Sequence, residues 1–290
     1  MKHFTKTKIL LVFALFIHTP HDLAHARALS PHKAIYKIKT ETVEQGSQLL
    51  NIEGDLLFSF AQTCEGWITD HKFTLFYDYQ EQPSMKMTSD ISSVESFDAS
   101  DFQFTTIRKQ NDVPYEETKG HLYYDSGPDN DGTPNGTYVT YTSPENGTYK
   151  LPTRPLLPAQ HTKTLLQHAI KGNRYVTLPL FDGTNEQGTM DVTAFISVEN
   201  DNKYRLKENE TLYQFDLAFF QQNSKIEEAE YEMTIYMHKS GIITYMLIDY
   251  GEFTMQQSLK AYEELSGESN CTNDYNVQDN LENKQTIEGS

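Results

Sequence analysis

The sequence predicts a mainly β protein: a single curled antiparallel sheet, spiral or barrel-like, with one principal α-helix at about 158–171. Three observations carry this reading. Apolar and polar residues alternate over most of the length. The links between alternating runs are short and contain glycine. One segment departs from this pattern and shows helical spacing instead.

Alternation is clearest in the second half. In EAEYEMTIYMHK, Ala229, Tyr231, Met233, Ile235 and Met237 fall on one face, and Glu228, Glu230, Glu232, Thr234 and His238 on the other. Period two marks a strand with one buried and one wet face. LYQFDLAFF repeats it at Tyr213, Phe215, Leu217 and Phe219, and FTLFYDY at Phe73, Leu75, Tyr77 and Tyr79. FTMQQSLKA repeats it at Phe253, Met255, Gln257, Leu259 and Ala261, with one polar intruder. AIYKIKT, DFQFTTI and HLYY are weaker examples. The 18 tyrosines and 16 phenylalanines suit pleated surfaces.

Lys239-Ser240-Gly241 and Tyr250-Gly251-Glu252 each separate neighbouring runs, which predicts an antiparallel meander. Strands apolar on one face only argue against a parallel sheet. So many strands must hide their edges, which favours a sheet curled on itself.

The helical segment is RPLLPAQHTKTLLQHAIKGN. Pro158 offers a start and Gly172 a stop. Thr162, Leu165, Leu166, Ala169 and Ile170 form a stripe, and the Leu165/Leu166/Ile170 face is expected on the sheet, plugging an open end or the bore.

The ends suggest a compartment. Three lysines precede nine apolar residues, Ile9 to Ile17, and Ala24-His25-Ala26 follows. This reads as a signal peptide over 1–26, with Ala26-Arg27-Ala28 as the alternative cleavage site. Nine residues rise only about 14 Å, too little to span a bilayer. The folded domain is expected over 27–271. The polar stretch 272–290 is expected to be a disordered acidic tail. Without the leader, 21 basic and 40 acidic residues remain, a formal net charge of −19 instead of −17. Such a chain repels nucleic acid and anionic head groups.

The two cysteines, Cys64 and Cys271, lie 207 positions apart. Export favours disulfides, two cysteines allow one intramolecular bridge, and neither has metal-ligand or C-x-x-C spacing. A structural Cys64–Cys271 disulfide is expected.

No nucleophile-elbow, zinc-protease or phosphate-loop motif occurs. His161 and His168 are seven apart and read as a polar rim of the helix. Asp129, Asp131 and Gly132 imitate part of a calcium loop, but Gly127 and Tyr138 occupy positions that need ligands. Asp182 of FDGT reads as a turn residue. No catalytic residue, metal or cofactor is assigned.

Several stretches in order carry a resemblance: ALSPHKAIYKI (28–38), CEGW (64–67), LLPAQHTKTLLQHAIKGNRYV (156–176) with LPLFDGT (178–184), and GIITYMLIDYGEFTMQQSLKAYEEL (241–265) before Cys271. Together they resemble the EipB family of alphaproteobacterial periplasmic proteins. The acidic loop Asp125 to Gly147 and the tail are longer than that pattern. The resemblance implies a monomeric β-spiral open in the middle, clasped by the Cys64–Cys271 bridge. It also implies a non-enzymatic part in cell-envelope integrity and a connection to a periplasmic tetratricopeptide-repeat protein. The function expected is binding of an envelope component or partner in or on the curled sheet. Tyr36, Phe73, Leu75, Phe215, Tyr231 and Met233 are candidate liners for an apolar ligand. A lipid or lipoprotein carrier, and an envelope-polymer hydrolase working through two carboxylates, are the alternatives.

Overall fold

The computed structural model describes residues 29–125, 136–183, 188–207, 210–222 and 228–266. The signal peptide, both cleavage sites, residues 126–135 of the acidic loop, Cys271 and the tail lie outside the described residues. Fourteen strands form one sheet. They are β1 (His32–Val43), β2 (Leu49–Gln62), β3 (Gly66–Tyr79), β4 (Met85–Ser96), β5 (Asp101–Gln110), β6 (Val113–Asp125), β7 (Gly136–Ser143), β8 (Gly147–Leu151), β9 (Tyr175–Leu180), β10 (Met190–Glu199), β11 (Leu212–Gln221), β12 (Tyr231–His238), β13 (Ile243–Asp249) and β14 (Phe253–Glu264). One helix, α1 (Pro158–Ile170), joins β8 to β9.

Every strand pair in the sheet is antiparallel, and the order is β8 to β1 in reverse, then β14 back to β9. The chain therefore meanders outward from β1 to β8, crosses on α1 to the far end, and meanders back until β14 pairs with β1. The last and first strands meet in the middle of the sheet.

The two ends do not pair as in a closed barrel. The segment after β8 runs along the β9 edge, where Leu156 N donates to Pro179 O (2.8 Å) and Phe181 N to Leu156 O (3.0 Å). Just past β9, Phe181 packs edge-on against Phe102 and Phe104 of β5, with ring centroids 6.2 and 5.5 Å apart. The β9 end thus laps over the inner face three strands in from β8, which makes the sheet a spiral. Gly183 permits the overlap: its φ is +70°, and a Cβ there would stand 2.4 Å from the Phe104 ring.

The core has three parts. Helix residues Ala159, Leu165, Leu166 and Ala169 pack on the inner faces of β9 to β12. Phe102, Phe104, Leu122, Val139 and Phe181 form a second cluster under the overlap. Ala34, Tyr36, Ile38, Ile52, Leu56 and Met255 form a third under β1, β2 and β14. Phe58 touches the first and third.

Four sequence expectations need correction. Ile170 is 47% exposed, off the helix face that meets the sheet. At 100° per residue it stands well round from Leu165 and Ala169, at the border of the stripe and in the last turn. His161 is buried within the plug rather than on its rim. His238 keeps the outer face but is buried there, because the link between β10 and β11 covers it: its Nε2 accepts from Leu206 N at 3.1 Å and its Nδ1 lies 3.2 Å from Glu210 Oε2. Ala261 faces outward: β14 carries an extra residue, Lys260, between the partners of Ile35 and Tyr36, and so changes face.

Candidate functional site

Helix α1 covers only part of the inner face of the curled sheet, the face lining the lumen of the spiral. The plug starts without a cap of its own: Leu157 holds the N-cap position and the first turn has no acidic residue. Glu95, near the end of β4, supplies the missing acceptor. Its Oε2 accepts from Ala159 N (2.7 Å) and its Oε1 from Gln160 N (2.9 Å). The carboxyl is only 4% exposed, and burial pushes its pKa up to about 7, against the lowering effect of the two backbone hydrogen bonds. A strand residue therefore fixes where the plug sits.

Under the helix, the inward residues of β10 and β11, such as Val192, Ala194 and Phe215, are sealed. Away from it the wall is open. The inward positions of β3, namely His71, Phe73, Leu75, Tyr77 and Tyr79, are all half-buried, and so are Met85, Met87, Ser89 and Ile91, their register partners or neighbours on β4. Tyr231 and Met233 of β12 and Met246 of β13 are likewise half-buried. Methionines here give the wall an adaptable apolar surface. Toward one mouth Tyr231 stacks on Phe219 (4.3 Å) and lies 5.9 Å from Tyr250. Burial, then the charges of Asp182, Tyr250 and Glu230, raise the Tyr231 hydroxyl.

The six candidate liners divide. Tyr36 and Phe215 belong to the sealed core, and the Tyr36 hydroxyl donates to Ile243 O at 2.9 Å. Phe73 and Leu75 border the third cluster, and Tyr231 and Met233 the first, all half-buried. Sequence reasoning missed Glu95 and the β4 methionines. Alternation could have found the methionines; nothing local marks Glu95. Of the inward carboxylates, Glu95 is held by the helix amides and Glu116 by Arg108.

The outer face carries two adjoining grooves, of about 530 and 590 Å³, across β14, β1, β2 and β3 and on to β5. Among the described residues no group of three metal-ligating side chains converges, and no helix is long and apolar enough to cross a membrane.

A single antiparallel sheet wound into a spiral, with one helix clamped against its inner wall, defines a class of β-spiral proteins. The chain belongs to the EipB-like family, whose sequence profile matches residues 23–266. It is similar to the cell envelope integrity protein EipB of Brucella abortus (strain 2308), 22% identical over 245 residues, covering 81% of this chain and 84% of the relative. It also resembles the crystal structure of a beta-barrel-like protein of domain of unknown function DUF1849 from Brucella abortus. There the TM-score is 0.74 at 21% identity, covering 82% of this chain and 99% of the other. At that identity the structural likeness speaks for the fold.

Proposed function

We propose that this chain supports the integrity of the cell envelope from the periplasm, by holding the apolar part of an envelope component in the unfilled half of its lumen. One observation carries the reading. The inward residues of β3 from His71 to Tyr79 and of β4 from Met85 to Ile91 are only half-buried, while Val192, Ala194 and Phe215 of β10 and β11 are sealed under the plug. A wall of half-buried aromatics and methionines is costly to leave wet, and an apolar ligand covers it. The curated relative's name supports the envelope role.

In this reading the chain is exported, cleaved after Ala26 or Ala28, and closed by Cys64–Cys271. The placement of β14 supports the bridge. His32 stands between Glu264 and Phe60 in the sheet, and Phe60 lies four residues before Cys64. Two strand spacings are about 10 Å, and the five residues from Ser266 to Cys271 reach up to about 17 Å. The reading includes no reaction.

Photo-crosslinking in living cells tests it. A photoreactive residue replacing Met87, on the inner face, should capture an apolar envelope component. The same residue replacing Lys86, on the outer face, should not. Equal capture at both positions, or none at Met87, would sink the lumen reading.

A further inference from the structure

The inner face changes in polarity toward one end of the spiral. Along β3 the inward residues are Phe73, Leu75, Tyr77 and Tyr79 in turn. Along β12, taken toward its start, they are Ile235, Met233 and Tyr231. Along β13 they are Met246 and Ile248, with Tyr250 just past the strand. Antiparallel pairing from β3 through β2, β1, β14 and β13 to β12 sets the end of β3, the end of β13 and the start of β12 at the same end of the sheet. Three strands thus pass from apolar side chains to tyrosine in one direction. The start of β6 is at that end too, with Tyr115 at a register shift against β5.

The rings gather there. Tyr77 and Tyr79 stack at 6.4 Å, and Tyr231 lies 5.9 Å from Tyr250. The winding brings these pairs within electrostatic reach of each other: burial pushes the Tyr77 hydroxyl up to about 12, and the charges of Tyr250, Tyr79 and Tyr115 push the same way. None of the hydroxyls of Tyr77, Tyr79, Tyr115, Tyr231 and Tyr250 hydrogen-bonds to another described residue, unlike that of Tyr36. Tyr115 is 51% and Tyr250 45% exposed. Each ring offers an apolar body and each hydroxyl a donor and an acceptor.

Hydrogen bonding and charge together narrow what meets them. Glu116 holds the inward guanidinium of Arg108. Burial raises the Tyr250 hydroxyl and Arg108 lowers it, while Asp182 and Glu230 act on Tyr231. An anionic head group therefore meets three carboxylates against one guanidinium. A cationic head group brings no acceptor for the phenol donors. Uncharged oxygens, as in hydroxyl, ether or ester groups, satisfy both conditions.

We propose that the ligand of the inner face is an amphiphile lying in one direction, its chain on Phe73, Leu75 and Met233 and an uncharged, oxygen-rich head among Tyr77, Tyr231 and Tyr250. This rests on the lumen reading above and adds the direction of the ligand and the class of its head group.

Decyl maltoside, below its micelle concentration, is the probe, titrated calorimetrically against the exported form of the chain. The expected result is saturable binding that weakens about fivefold or more in Tyr77→Phe/Tyr250→Phe. The rings remain in this variant, so 1-decanol, with the same chain and almost no head, should lose less than about twofold. The melting temperature should stay that of the parent, since neither hydroxyl holds another part of the protein. Met87→Gln, in the apolar wall, should weaken both probes alike. Decanoate and decyltrimethylammonium should bind more weakly than decyl maltoside. Comparison with monodecanoylglycerol then separates a glycolipid from an acylglycerol as the source of the head. Decanol binding that depends on Met87, with decyl maltoside unaffected by the phenylalanine variant, would overturn the head-group assignment and leave the lumen reading standing. Tighter binding of either charged probe would overturn it too. Binding of none of the probes would sink the lumen reading, and this inference with it.

Discussion

The Glu95 carboxylate accepts from Ala159 N at 2.7 Å, across 64 residues of sequence, and so joins β4 to the first turn of the only α-helix among the described residues. Its second oxygen accepts from Gln160 N. Glu95→Ala leaves two buried helix N–H groups without partners and opens a small void. A loss of about 2 kcal/mol is expected, roughly 4–8 °C in melting temperature for a domain of this size. Hydrogen exchange should locate the loss, with amides of 158–170 losing more protection than those of β5 to β7. Uniform loss, or none, would show that the clamp does not hold the plug.

The same carboxyl gives stability a pH dependence of known sign. Its folded pKa of about 7 lies above the ordinary 4.5. The folded state therefore binds the proton more tightly than the unfolded state does. The corresponding stability is complete below about pH 4.5 and is lost as pH rises through about 7, by up to about 3 kcal/mol. Glu95→Gln cannot titrate. The stability of the parent minus that of this variant should fall over this window in denaturant titrations. A flat difference would contradict the burial argument.

His71 works in the opposite direction. Its ring lies between Phe58 (4.9 Å) and Phe73 (6.2 Å), and burial lowers its pKa to about 4, slightly offset by Asp70. A lowered histidine contributes stability above about pH 6.5 that is lost as pH falls through about 4. Nδ1 has no hydrogen-bond partner. His71→Phe keeps the aromatic column and removes both the titration and the orphaned nitrogen. The variant should equal or exceed the parent at pH 7, and its advantage should widen toward pH 4. A constant gap would place the acid sensitivity elsewhere.

These groups show what could be read from the sequence. β11 and β12 were legible because the plug seals one face, which keeps the period-two contrast sharp. The helix limits were legible from Pro158 and Gly172. Ala261 was misread because one extra residue reverses every later side chain of a strand, and no residue type announces the slip; His238 was misread because the β10–β11 link covers the outer face on which it stands. Phe215 and Phe73 look alike in sequence, yet one is sealed and the other open. What separates them is the extent of the helix above, which period-two pattern does not encode. Glu95 was invisible because its partner is set by the winding of the sheet.

The overlap that makes the spiral can be tested at Gly183. A side chain there meets φ of +70° and a Cβ position 2.4 Å from the Phe104 ring. The backbone conformation alone costs about 1 kcal/mol or more, and the clash adds to it. Gly183→Ala should lose about 2–3 kcal/mol or more in denaturant unfolding. Phe104→Leu should recover part of that loss when combined with it, since the ring is the obstacle. Strict additivity of the two substitutions would mean that β9 does not press on β5 through this contact.

The proposed Cys64–Cys271 bridge would tie the start of β3 to the strand that closes the sheet on β1. A loop of some 200 residues is worth roughly 5 kcal/mol in the chain-entropy treatment, an upper bound because residual structure in the unfolded chain reduces it. Cys64→Ser, Cys271→Ser and the double variant should lower the melting temperature alike, by on the order of 10 °C. Reductant should do the same to the parent and nothing further to the double variant. Trp67 is the local reporter: it is the only tryptophan, stacked on Phe60 at 4.6 Å and edge-on to Phe97 at 5.3 Å. Loosening the turn at Cys64 should shift its emission to the red before the global transition. If the single variants differ from one another, or reductant leaves the parent unchanged, the two cysteines are not each other's partners. The register of β14 beside β1 would then be what closes the sheet.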